Sequence, residues 1–204
     1  MEEKKYQNLE KEIKELKKIP GQVRAEYLGS LKKFILNKEG KSGYAEYKDT
    51  LKHLGIDIDH YENKKNSEWI PKYIANISSV VAIRIFNWDE EIVFELGKLS
   101  ITFLPSTKVF LKYFSSIKKT LRQITKKWKH YSTQGEFEIK KLDEKNQTAI
   151  VLLKDYPVNP MDCVYTKGMI ASIMEISTGS KRVKIQETKC PNRGDSYHEF
   201  SLEW

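Results

Sequence analysis

Cysteine is scarce in this chain: Cys163 and Cys190 are the only two in 204 residues. Two thiols so far apart do not make a disulfide framework, which excludes a small secreted scaffold. Long apolar runs are lacking as well. No stretch approaches the ~18 residues that mark a membrane-spanning helix. The opening, Met1-Glu-Glu-Lys-Lys, has no apolar segment behind it of the kind that forms a secretory leader. The expectation is a cytoplasmic protein. There is no glycine-rich phosphate loop, no nicotinamide or flavin fingerprint, no Ser-His-Asp pattern and no internal repeat. Asp57-x-Asp59 begins like a calcium loop but lacks the later glycine and glutamate at the required offsets, so calcium is excluded.

Acidic residues are missing from one long segment. Between Lys108 and Lys129 the chain carries Lys108, Lys112, Lys118, Lys119, Arg122, Lys126, Lys127 and Lys129, and no Asp or Glu. That segment accounts for the whole formal charge of +8. Phe110, Phe114, Ile117, Leu121, Ile124 and Trp128 recur within it at helical spacing, which predicts one amphipathic helix with a basic outer side. Such a side is either a solvated face or a surface for the phosphates of nucleic acid or an anionic membrane.

The first two-thirds reads as helices. Tyr6, Leu9, Ile13 and Leu16 form a stripe that packs on its own chain or pairs with a second copy in a homodimer. Pro20-Gly21 breaks the pattern. Helices are then predicted from Val23 towards Gly40, from a Ser42 cap to Gly55, and from Trp69 to Phe86 with Pro71 in the first turn. The polar stretch 56–68 reads as a loop. Asp89-Glu90-Glu91 suits the positive end of a helix running to Phe103. Gly97 inside it costs about 1 kcal/mol relative to alanine and so marks a close approach of another helix or of a ligand.

After His130 the period changes to two. Strands are expected around Phe137–Ile139 and Thr148–Leu153, then a helix capped by Asp162, then two more strands ending at Trp204. The fold class is α+β: a helical layer on a four- or five-stranded antiparallel sheet, with an N-terminal helical extension. Residues 1–60 are assigned to the extension and 61–204 to the main domain.

Alternation on the last two strands puts Glu187 in line with Val183 and Ile185, and His198 in line with Phe200 and Leu202. A hairpin turning at Gly194-Asp195 would bring Glu187, Cys190 and His198 together, with Cys163 arriving from the mouth of the preceding helix. Thiolate, imidazole and carboxylate are all zinc ligands, and four protein ligands describe a structural site. The other reading makes Cys163 a small buried hydrophobe, His198 a satisfied core imidazole, and Glu187 a partner of Lys184 or Arg182.

The pattern Cys163, Gly168, Glu187-Thr-Lys-Cys190-Pro-Asn-Arg-Gly194-Asp-Ser-Tyr-His198-Glu-Phe200 resembles the signature of the 4-vinyl-reductase domain family. Its superfamily is similar in fold to haem nitric-oxide-binding domains and to small subunits of the transport-particle tethering complex. The resemblance implies a zinc site at Cys163, Glu187, Cys190 and His198, the last standing where the family usually has cysteine. Pro20-Gly21-x-x-Arg24, Trp69-Ile-Pro71, Leu96-Gly97-Lys98 and Trp128-x-x-Tyr131 resemble uncharacterised bacterial proteins of the same fold. The resemblance implies a binding module rather than an enzyme. Its ligand would be a small apolar or aromatic molecule lodged between helices and sheet, near Phe94, Gly97, Phe110, Phe114, Trp128, Tyr131 and Phe137. A signalling protein partner would receive the response. A scaffold protein with a filled core is the alternative. Haem-binding relatives need a proximal histidine on a helix, and none of His53, His60, His130 and His198 is placed for that in the sequence pattern.

Overall fold

The structure, a computed structural model, describes residues 2–103, 116–157 and 159–204. Phe110, Phe114, Lys108 and Lys112 lie outside the described residues, as does the side chain of Tyr6. The chain forms two compact units, Met1–Ile92 and Val93–Trp204.

The first unit is built on one buried helix. Its elements are α1 (Glu2–Leu16), β1 (Gln22–Arg24), α2 (Glu26–Lys38), α3 (Gly40–His53), α4 (Ile58–Glu62), β2 (Trp69–Pro71) and α5 (Lys72–Phe86). In α5 Ile74 to Ile83 is buried without interruption, so this helix needs cover on every side. α1, α2 and α3 supply it. Leu9, Ile13 and Leu16 of α1 are buried, so the apolar stripe is used within its own chain.

Three details differ from the sequence reading. Ser42, expected as a cap, lies inside α3, which begins at Gly40 with Glu39 as its N-cap. Val23 and Trp69 were expected in helices, but they belong to a short antiparallel ribbon in which Val23 faces Ile70. The Arg24 guanidinium lies 3.7 Å from the centre of the Trp69 ring and holds the ribbon from outside. Pro71 is then the residue before α5 rather than part of it. The stretch 56–68 contains α4, whose first turn is capped by the Asp57 carboxylate accepting from the His60 amide.

The second unit begins within α6 (Glu90–Phe103) and continues through α7 (Ile117–Tyr131), β3 (Glu136–Asp143), β4 (Thr148–Lys154), α8 (Pro160–Thr178), β5 (Lys184–Lys189) and β6 (His198–Glu203). The four strands form one antiparallel sheet in the order β3-β4-β6-β5. This is the expected α+β architecture, a helical layer on a four-stranded antiparallel sheet with helices N-terminal to it. Val151 pairs with Phe200, and Ala149 and Ile185 both pair with Leu202. These side chains share the inner face and join Leu121, Trp128, Phe137, Ile170 and Met174 in one core.

The basic segment differs from expectation. α7 starts only at Ile117, capped by Ser116, which is extended at φ −156° and accepts from the Lys119 amide. The expected helix therefore does not pass unbroken through Ser116. The cap of α8 is Asn159 rather than Asp162: its side-chain oxygen accepts from the amides of Met161 and Asp162, with Pro160 in the first turn.

Gly97 on α6 and Gly168 on α8 explain each other. A Cβ added to Gly97 would lie 2.1 Å from the Tyr165 carbonyl oxygen, and one on Gly168 would lie 2.1 Å from that of Phe94. The helices touch backbone to backbone, and the Lys98–Glu175 ion pair at 2.7 Å closes the crossing along one side. Alanine for glycine ordinarily stabilises a helix by about 1 kcal/mol. Here the overpacking term has the opposite sign and is larger, roughly 1–3 kcal/mol or more. Gly168→Ala is therefore expected to lower the urea midpoint with little change in slope; a raised midpoint would mean the crossing is loose.

Candidate metal centre

Four side chains converge at one end of the sheet. Cys163, Glu187, Cys190 and His198 each bring a ligand atom within 4.8 Å of the others. Each arrives for a local reason. Asn159 fixes the first turn of α8, and Cys163 lies in that turn, where the positive helix end favours a thiolate. His198 opens β6 opposite Leu153, and its position on the inner face makes it 1% exposed. Glu187 pairs with Phe200, and an irregularity between Glu187 and Lys189 shifts the register just before Cys190. The chain then turns through Pro191–Arg193 to Gly194 at φ 94°, a conformation that favours glycine. Asp195 locks the turn by accepting from the Cys190 amide at 2.8 Å.

Distances within the cluster are short. The two sulfurs are 3.5 Å apart and unbonded. Cys163 Sγ is 3.7 Å from His198 Nδ1, and that nitrogen is 2.9 Å from Glu187 Oε1. Tetrahedral coordination at ordinary zinc–sulfur and zinc–nitrogen bond lengths gives edges of roughly 3.8 Å for S–S, 3.6 Å for S–N and 3.3 Å for N–O. These three separations lie within a few tenths of an ångström of those edges, and all four donor atoms lie within 4.8 Å of one another, a candidate set for a four-coordinate cation.

The imidazole is preset for that task. His198 Nε2 is 3.1 Å from the Tyr156 carbonyl oxygen, which only accepts, so Nε2 carries the hydrogen and donates. Nδ1 then turns towards Glu187 Oε1. Two acceptors at 2.9 Å repel, so either a proton or a metal cation must lie between them. A backbone carbonyl orienting the far nitrogen of a histidine ligand is the usual outer-shell arrangement of metal sites.

The charges agree. Burial pushes the Cys163 thiol up, and the Glu187 carboxylate and the neighbouring Cys190 push it further. Without a cation this sulfur stays protonated. Burial also raises the Glu187 carboxyl, but its bond to His198, the His198 charge, Cys190 and the Arg193 guanidinium outweigh burial and hold it below its usual value. Asn192 Nδ2 donates to Cys163 Sγ at 3.4 Å. Arg193 donates to the Glu187 carbonyl at 3.1 Å, tying the turn back to β5.

The described residues among those expected around a small ligand are distributed over several elements of the second unit. Trp128 and Phe137 are buried with ring centres 5.4 Å apart, and Tyr156 packs edge-on to Trp128 at the same distance. Trp128 Nε1 donates to the Gln134 carbonyl. A Cβ at Gly135 would come within 2.8 Å of the Tyr156 ring. Gly97 is taken up by the helix crossing. Phe94 and Tyr131 are half-buried, and Phe110 and Phe114 lie outside the described residues. A surface groove of about 390 Å³ lies elsewhere, lined by Ile117, Glu144, Gln147, Ser177–Ser180 and Trp204.

Sequence reasoning missed Tyr156, Asn159, Asn192 and Asp195 as supports of the centre. Asn159-Pro160 is a readable helix-start signal. The role of Tyr156 is carried by its carbonyl, to which any residue type would contribute equally.

No family model and no curated protein matches the chain. Solved structures do. An H-NOX protein from S. oneidensis in the Fe(II)NO ligation state is 13% identical, with a TM-score of 0.65 over 88% of this chain and 98% of that one. The unliganded Fe(II) H-NOX protein from K. algicida is 8% identical, with a TM-score of 0.64 over 88% and 95%. The chain therefore shares its fold with these H-NOX proteins. At these identities the likeness shows the fold alone.

Those proteins are named by ligation states of iron, so haem needs its own test. His53, His60 and His130 are exposed, while His198 is buried on a strand and held by Tyr156 and Glu187. With these four the histidines of the chain are complete, and no helical imidazole among them is buried to serve as an axial ligand. The residues present do not fit a histidine-held haem.

Cobalt(II) added to metal-free protein is expected to give the intense visible absorption of a four-coordinate thiolate site, and a Cys163→Ser/Cys190→Ser variant should not. A weak, six-coordinate spectrum from the unaltered protein would mean that the four atoms do not share one ion.

Proposed function

We propose that the chain is a non-catalytic binding or sensory module, similar to the 4-vinyl-reductase domains, whose sheet end is secured by a structural zinc ion. One observation carries the reading: His198 has its far nitrogen committed to a carbonyl and its near nitrogen turned towards a carboxylate and a thiol. Cys163, Glu187, Cys190 and His198 would hold the ion, and its chemistry would be that of a cross-link between α8, β5 and β6. Zinc is favoured over hard cations because two of the four donors are sulfur. The assignment to that domain family is supported by the order and spacing of Cys163, Glu187, Cys190, Gly194, His198 and Phe200. Two free buried thiols at 3.5 Å suit the reducing cytoplasm.

The ligand side of the reading is a small apolar or aromatic molecule, with a protein partner receiving the response. The aromatic group of Trp128, Phe137 and Tyr156 favours it, because Tyr156 belongs both to that group and to the support of His198. A ligand that moved the Tyr156 ring would act directly on the metal centre.

Native mass spectrometry of the purified chain tests these claims together. About one zinc per chain is expected, lost on combined Cys190→Ser and His198→Ala substitution. An organic adduct would support the sensory reading. A metal-loaded chain with no adduct, extracted from cells and still inert to aromatic probes, would leave a zinc-braced scaffold instead. A homodimer would be visible in the same spectrum.

A further inference from the structure

The outer face of α7 plays no part in the metal centre or the aromatic group. Lys118, Arg122, Lys126 and Lys129 are exposed on it. At 100° per residue they fall within an arc of roughly 80°, and at 1.5 Å per residue they span about 16 Å. The opposite face is fixed: Ile117, Thr120, Leu121 and Trp128 are buried. The helix carries no acidic residue. Among the described residues, no ion pair reaches any of these four cations.

We propose that this face is a docking surface for the phosphate backbone of a double-helical nucleic acid, read by charge and without regard to sequence. The chemistry of the face selects among anionic partners. Lipid anchoring by a basic helix requires an apolar side free to enter the bilayer, and here that side is buried in the chain's own core. Among the described residues Ile176 of α8 is the one large exposed hydrophobe, and it is not on α7. Single-stranded nucleic acid is gripped by stacking bases on aromatic rings, and the cationic arc carries none. What remains is a stiff row of cations about one helical turn apart. A duplex presents a stiff, continuous line of phosphates on each strand, dense enough to meet each cation of such a row. Backbone contacts of this kind position a protein but carry no sequence information.

The proposal is independent of zinc. It is tested on the full, metal-replete chain with a fluorescent random-sequence DNA duplex of about twenty base pairs, by anisotropy. Four phosphate contacts set a slope of log affinity against log salt of roughly −3.6, so raising salt from about 50 to 200 mM weakens binding on the order of a hundredfold. Lys118→Gln with Lys126→Gln should lower the slope by roughly 1.8, and the fourfold variant adding Arg122→Gln and Lys129→Gln should lose binding. A control, Lys14→Gln/Lys17→Gln/Lys18→Gln at the end of α1 and in the turn after it, should bind as the unaltered chain does. All seven side chains are exposed, and unchanged thermal melting would exclude misfolding as the cause. The proposal is overturned if the fourfold variant binds normally or if the control loses binding equally. It is also overturned by tighter binding to the single strand, or by tighter binding to phosphatidylcholine vesicles containing about one-third phosphatidylserine.

Discussion

A carboxylate, an imidazole and two thiols buried within a few ångströms of one another need a positive charge among them. Burial favours the neutral form of each acid, and proximity makes the penalty mutual. A proton shared by His198 and Glu187 answers part of it. It does nothing for Cys163, whose thiol is pushed up by burial and by that same carboxylate. One multivalent cation would let both sulfurs ionise beside that carboxylate. The Asn159 cap, the shifted register before Cys190, the left-handed Gly194 and the Asp195 lock each fix one donor.

This constraint extends through the second unit by way of two residues. Tyr156 gives its carbonyl to His198 and its ring to Trp128. Cys163 begins α8, and Gly168, little more than a turn later, seats that helix on α6 at backbone contact. Close-packed interiors transmit displacement because neighbours cannot absorb it. A shift of Cys163 along the helix axis would be felt at Gly97 before any side chain could yield.

How much of this the residues disclosed depended on the kind of signal. Strand alternation placed Glu187 and His198 on the inner face, and the hairpin turn at Gly194 placed Cys190 beside them. Local periodicity sufficed there, because one face of the sheet is buried and a slip of one residue would reverse it. The same logic failed at Val23 and Trp69. Three-residue strands are too short to show a period, and their pairing partners lie far apart in sequence. At Ser116 the apolar spacing of Phe110 to Trp128 ran straight through a capping serine, so periodicity outweighed the stop signal. Gly97 marked a close approach of a helix or of a ligand, and α8 is what meets it. Its partner Gly168 was noticed only as part of the cysteine pattern, since no single-chain signal ties two glycines in different helices. Trp128 and Phe137 suited a ligand wall and a core equally well by composition. In the structure their rings pack on each other and, through Trp128, on Tyr156.

The likeness to haem-binding proteins sharpens the distinction between a fold and what it carries. An α+β frame can be kept while its chemistry changes, because the frame rests on dispersed apolar burial and a cofactor rests on one or two donors. In this chain the one buried histidine lies on β6, facing two sulfurs and a carboxylate across the end of the sheet. With Nε2 committed to the Tyr156 carbonyl and Nδ1 facing Glu187 and Cys163, this imidazole has no side left from which a porphyrin iron could approach. The same arrangement is a candidate site for a metal ion with four protein donors, the coordination of structural zinc sites.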